Sequence, residues 1–173
     1  MASYYYLISS LPSLRTDAPM PMSYDAFLEQ CRDSVNDDVY AVLSNLTLSS
    51  DKGPLLSKWG KYYQEMMKEL NKRRREKIGK PFSREVEADQ STRDCIDRVM
   101  SAENPLIAEK IMLDAQFTYL DSLVAMHYFD DYVLYGYAVK LKLLERRDVF
   151  VKEKGSAEFE RLFSDVQQKI MSI

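Results

Sequence analysis

The stretch NPLIAEKIMLDAQFTYLDSLV, residues 104–124, decides the fold class. It opens with Asn104 and Pro105. An Asn side chain accepts a hydrogen bond from the first free backbone N–H groups of a helix, and proline suits the first helical position because its missing N–H is not needed there. Behind that start, Leu106, Ile107, Ile111, Leu113, Phe117, Leu120, Leu123 and Val124 recur at helical spacing over an arc broad enough for a buried helix.

Downstream, Asp130-Asp131 marks a break or kink, and Tyr132 to Val151 is helical again with Leu134, Tyr137, Ala138, Leu141 and Leu144 inward. Gly155-Ser156 is a turn. Ala157 to Met171 then carries Phe159, Leu162, Phe163, Val166 and Ile170 at helical spacing. Upstream, Phe82 to Met100 reads as a more polar helix, with a thin apolar seam of Val86, Ile96, Val99 and Met100. Before it, Pro54 opens a long helix whose stripe is Leu55, Trp59, Tyr62, Tyr63, Met66 and Leu70, and Gly79 followed by Pro81 closes it. Two short helices precede that: one capped by Ser23 and carrying Phe27, Leu28 and Cys31, the other capped by Asn36 or Asp37 and carrying Val39, Tyr40, Val42 and Leu43. Residues 49–53 between short and long helices form a linker and the best internal boundary. Ser9 to Pro21, with Pro12, Pro19 and Pro21, is loop. Tyr4 to Ile8 is either a short strand or the first turn of a buried helix, and five apolar residues have the same pattern in both. No repeat of solenoid period is present.

These elements predict an all-α fold: a mostly antiparallel bundle of about five to seven helices, short ones first, in a single domain of residues 1–173 with a minor boundary near 49–53. Composition agrees. The 173 residues are 46% hydrophobic and 29% charged, against about 25% charged in an average globular domain, and only 5 Gly and 6 Pro leave little turn chemistry for an all-β fold. Cys31 and Cys95 make neither a disulfide framework nor a metal site, so two reduced thiols are expected. No segment reaches the ~18 apolar residues that span a bilayer, and the N-terminal phrase lacks the basic and apolar regions of a signal peptide. A cytoplasmic protein is expected, peripheral at the inner membrane if it docks on a membrane complex.

Chemistry is sparse. A di-iron carboxylate bundle needs two Glu-x-x-His pairs, and His127 is the only histidine. Asp114 and Asp121 lie seven apart on one helical face, with Asp130 and Asp131 beyond. They make a possible cation site, but a hydrated polar stripe pairing with Lys110 and nearby arginines is the ordinary reading. His127 follows Leu120 and Val124 on the apolar side and reads as a hydrogen-bonded boundary histidine. No nucleophile elbow and no phosphate-binding glycine loop occurs. A non-enzyme with no cofactor and no metal is therefore expected. The run Lys72-Arg73-Arg74-Arg75-Glu76-Lys77 suits a helix C-terminus, where cations complement the macrodipole, and also offers a docking end for an acidic protein surface. Net charge −3 with pI near 5.3 argues against nucleic acid. The 12 tyrosines, Tyr4-Tyr5-Tyr6 and Tyr119 to Tyr137 foremost, are either boundary residues with wet hydroxyls or interface residues.

Two phrases resemble a known family. Tyr4-Tyr5-Tyr6-Leu7-Ile8-Ser9-Ser10-Leu11-Pro12 is similar to the opening of a small bacterial family whose genes lie among those for V-type (archaeal-type) ATP synthase subunits. So is the passage from Tyr119-Leu120-Asp121 through His127-Tyr128-Phe129-Asp130 and Tyr135-Gly136-Tyr137 to Lys140-Leu141-Lys142-Leu143-Leu144-Glu145-Arg146-Arg147. The layout also faintly resembles the central-stalk coupler family of those machines, an all-helical, non-catalytic link between rotor ring and central stalk, although this chain is about half that size and cannot form the full three-part funnel. The resemblance implies a non-catalytic subunit or an accessory or assembly factor of a V-type ATP synthase, partnered by its other subunits. Exposure inferred from the pattern puts the contacts at Arg73, Arg74 and Arg75, and at Tyr4 and Tyr5. Two rival readings remain: a helical metal-binding protein or enzyme using Asp114, Asp121, His127, Asp130 and Asp131, and a nucleic-acid binder using the basic run.

Overall fold

A computed structural model describes residues 4–80 and 88–149, together with Arg161 and Ser164, which are helical. Over residues 4–80 and 88–149 the fold is all-α with seven helices: α1 (Tyr5–Ser10), α2 (Tyr24–Arg32), α3 (Asp37–Ser44), α4 (Pro54–Lys77), α5 (Gln90–Met100), α6 (Pro105–Val124) and α7 (Asp131–Val149). The turn at Gly155-Ser156, most of the helix expected over Ala157–Met171, and Phe82 with Val86 lie outside the described residues.

The starts and stops follow capping chemistry. Ser23 Oγ accepts from Ala26 N–H at 3.2 Å, and Asn104 Oδ1 from Ile107 N–H at 2.9 Å. Asn36 occupies the cap position of α3 without a side-chain bond. Asp89 caps α5, its Oδ1 accepting from Thr92 N–H at 2.7 Å, so the polar stretch before Gln90 is not helix as far as it is described. The Tyr4–Ile8 ambiguity resolves as helix, and Ser9 and Ser10, expected in the loop, complete α1. Asp130 separates α6 from α7, its Oδ1 accepting from Val133 N–H at 3.3 Å.

Cross-helix pairs give the directions. Glu109 pairs with Arg146 and Asp121 with Lys140, so position falls on α7 as it rises on α6, and the two are antiparallel. Tyr62 stacks on Tyr119 with centroids 3.8 Å apart, and Gln116 Nε2 reaches Met66 Sδ at 3.5 Å, which makes α4 and α6 antiparallel as well.

The apolar stripes bury into two clusters. The larger takes Tyr4 and Leu7, Tyr24, Phe27 and Cys31 of α2, Val39 and Leu43 of α3, the first turns of α4 (Leu55, Leu56, Trp59), and the facing sides of α6 and α7. It draws on both sides of residues 49–53. That segment lies against α4 so closely that a Cβ on Gly60 would stand 3.1 Å from the Ser50 carbonyl oxygen. The smaller cluster holds Met66 and Leu70 of α4, Cys95, Ile96 and Val99 of α5, and Met112 of α6. Leu106 and Ile107, the first members of the α6 stripe, are exposed.

Two tyrosine hydroxyls and the Trp59 indole N–H bond backbone carbonyls within the fold. Tyr24 Oη donates to the Leu43 carbonyl at 2.8 Å, Tyr137 Oη to the Pro12 carbonyl at 2.9 Å, and Trp59 Nε1 to the Leu48 carbonyl at 2.9 Å. The Tyr24 bond ties the two short helices α2 and α3 together, the other two tie a loop to a long helix, and each satisfies a polar group that is costly to leave alone. Arg147 Nη1 adds bonds to the Thr16 and Ala18 carbonyls at 3.0 and 2.8 Å, fixing the proline-rich loop onto α7.

Candidate functional site

The basic run forms the end of α4. This helix has 24 residues, about 36 Å of rise, and its first half is anchored in the larger cluster. Its end is sealed by Gly79 at φ 70°, with Lys80 N–H bonded to the Arg75 carbonyl at 2.9 Å and Gly79 N–H to the Glu76 carbonyl at 3.0 Å. That pair of bonds is the usual way a left-handed glycine closes a helix. The end therefore holds a defined direction.

Within the run, the arginines have different jobs. Arg73 Nε bonds Glu69 Oε1 at 2.9 Å and its Nη2 meets Asp97 Oδ1 at 3.0 Å, so it clamps α4 to α5. Arg73 thus also serves an internal pair, because Glu69 is only 1% exposed and needs a countercharge. Arg74 and Arg75 are exposed, as are Lys68, Lys77 and Lys80. Lys68, Lys72 and Arg75, at four- and three-residue spacing, share one helical face.

The second expected contact region lies at the α1 start. Tyr4 is buried at 5% exposure, which removes it as a surface contact: its ring enters the larger cluster and its backbone N–H donates to the Phe129 carbonyl at 2.7 Å. The Tyr4 hydroxyl sits by the Asn36 backbone and the Asp131 carboxylate without a well-formed bond, and burial first, then Asp131, pushes its pKa up. Tyr5 is 52% exposed, as expected, and packs at 4.7 Å on Phe129 and 5.4 Å on Tyr6. Sequence reading did not single out Met126, which is also exposed in the α6–α7 corner; no pattern in the sequence marks it.

The residues of the metal reading do not meet. Asp114 and Asp121 share a shallow groove of about 510 Å³ with Arg15, Asp17, Lys110 and Phe117. Asp121 pairs with Lys140 there. His127 Nδ1 lies 2.7 Å from Asp130 Oδ2 and the ring stacks on Tyr132 at 3.8 Å, so it is the hydrogen-bonded boundary histidine expected. Asp131 faces Tyr4 instead. Among the described residues no three His, Cys, Asp or Glu side chains converge in a way that holds a metal ion. Both cysteines are free and buried, and burial pushes the Cys31 thiol up to about 12 and raises Cys95, which keeps both protonated and weakly nucleophilic at neutral pH. No helix among the described residues is long and apolar enough to cross a membrane.

No protein-family model, no curated protein and no solved structure matches this chain.

Proposed function

We propose that this chain is a non-catalytic subunit, or an accessory or assembly factor, of a bacterial V-type ATP synthase, and that it works as a rigid helical coupler. The observation that carries the reading is the meeting of its two family-like phrases. The opening phrase and the α6–α7 phrase lie more than a hundred residues apart, yet Tyr4 bonds Phe129, Tyr5 packs on Phe129, and Tyr137 bonds Pro12. The residues that resemble the family thus belong to one packed unit, as a shared fold requires.

The surface is consistent with such a role. A coupler needs stiffness and contact faces. A helix anchored at one end and sealed at the other supplies the first, and its exposed cations supply a face for an acidic partner. The R74E/R75E variant tests this. Both side chains are exposed, so its melting temperature falls only by the modest loss of favourable charge at the helix end, while its affinity for the purified ATP synthase complex falls about tenfold or more at physiological salt. Unchanged affinity would remove the basic end from the assignment.

A further inference from the structure

Helix α5 depends on its neighbours for its form. An isolated helix shorter than about 12–15 residues is marginal in water, and α5 has 11. Its buried residues are Thr92, Cys95, Ile96 and Val99, a single seam, while the opposite face, with Arg93, Asp94, Asp97 and Arg98, is exposed. The seam closes the smaller cluster over Met66 and Leu70 of α4 and Met112 of α6. Among the described residues the buried members of that cluster come from α4, α5 and α6 alone.

The polar groups of this region are only half served. Glu69 Oε2 and Gln116 Oε1 are buried without a hydrogen-bond partner. Water that reaches them restores what their burial forfeits, so lifting α5 costs less than the uncovered apolar area alone would set.

A side-chain bridge crosses from α4 to α5, and its two arms are unequal. Arg73 Nε holds Glu69 Oε1 at 2.9 Å on the inside, where the Glu69 side chain is 2% exposed. Arg73 Nη2 holds Asp97 Oδ1 at 3.0 Å on the outside, where the Asp97 side chain is 56% exposed. The inner carboxylate has no solvent in place of its partner and keeps it. The outer pair is exposed, is worth little, and exchanges with another carboxylate that arrives. Lys72, Arg74 and Arg75 flank Arg73 in sequence, and their positive field draws anions to this end of α4.

We infer that α5 is a gate over the methionine-lined face of α4 and α6, latched by the Arg73–Asp97 pair and released when an anionic group of a bound partner takes the outer arm of the Arg73 guanidinium. Docking at the basic end then uncovers a face that the closed form hides. The inference rests on the basic end being a contact site, as proposed above, and adds its consequence for α5.

The chain carries its own reporters, because its two cysteines fall one in each cluster: Cys95 in α5 and Cys31 in the larger one, both buried. The full chain is labelled at neutral pH with a disulfide reagent for thiols, and each site is followed by peptide mass. Cys95 should label about tenfold or more faster than Cys31, because it opens with α5 and Cys31 opens only with the whole fold. Asp97→Asn changes an exposed side chain and leaves the Glu69 arm intact. In that variant Cys95 should label a few-fold faster again, with Cys31 at the parent rate. Saturating hexaglutamate, against NaCl at equal ionic strength, should raise the Cys95 rate of the parent and leave that of Asp97→Asn unchanged. Calorimetry measures its binding independently. Equal rates at the two cysteines, an Asp97→Asn effect that is absent or equal at both, or bound hexaglutamate that leaves Cys95 at its NaCl rate would overturn the gate. Absence of hexaglutamate binding would instead contradict the basic end as a contact for anions, and with it the release step, while the Asp97→Asn rates still decide the latch.

Discussion

The two clusters of this molecule are built differently. The larger one is filled with Leu and aromatic rings, and the buried polar atoms of Tyr24, Tyr137 and Trp59 each end on a backbone carbonyl. The smaller one uses Met66, Met112, Cys95 and short aliphatics, and it buries Glu69 and Gln116 with Glu69 Oε2 and Gln116 Oε1 left without a partner. Methionine packs softly, and an orphaned buried oxygen costs about 1–3 kcal/mol. The same helices α4 and α6 pass through both clusters, so the difference lies in what meets them. The larger region carries the stability, and the smaller one, where the basic end of α4 is clamped, is the weaker unit.

The largest effect should come from removing Trp59, which is 0% exposed and bonded to Leu48. Trp59→Ala should cost about 3–5 kcal/mol and unfold both regions in one transition, read by thermal melting. Separate transitions would contradict the coupling of the two clusters through shared helices.

Next is the clamp. Arg73→Ala leaves the buried Glu69 carboxylate without its countercharge and should cost about 2 kcal/mol, with faster amide exchange in α5 and little change in α7. Replacing both Glu69 and Arg73 by Leu should recover most of that loss, because a half-satisfied buried pair is replaced by apolar packing. Equal damage from the single and double variants would mean that the pair is not what joins α4 to α5.

The smallest effect concerns acid. The Thr92 hydroxyl and N–H hold the Asp89 carboxyl below its ordinary 3.8. A carboxylate with a lowered folded pKa stabilises above the unfolded value and loses that contribution as pH falls through the folded one. Exchange protection in α5 should therefore fall on acidification below about pH 4, before that of α7, and Asp89→Asn should flatten this dependence while still capping the helix. A pH response in α5 unchanged by the substitution would assign it to another group.

Much of the fold was legible because its signals are local. Ser23, Asn104-Pro105, Pro54 and Gly79 act on backbone groups within a few residues, and the stripes of α4 and α6 run long enough to show their period. Tyr4 to Ile8 is shorter than two helical turns, so periodicity says nothing about it. Its burial depends on a bond to Phe129 far along the chain. The basic end was legible as a charged helix terminus, whereas the Glu69–Arg73 pair within it was not singled out. Asp97, which turns Arg73 into a clamp, comes from another helix and leaves no mark in the local pattern. The same holds for Asp114, Asp121, His127, Asp130 and Asp131: Asp114 and Asp121 line one groove while His127 pairs with Asp130, a division that their spacing in sequence does not encode.

The most direct test of the coupler assignment is purification of the tagged chain from membranes of its native host, with the rotary complex kept intact and the composition read by mass spectrometry. The assignment predicts recovery of V-type ATP synthase subunits in a fixed ratio to the chain. Recovery of the chain without them would contradict it.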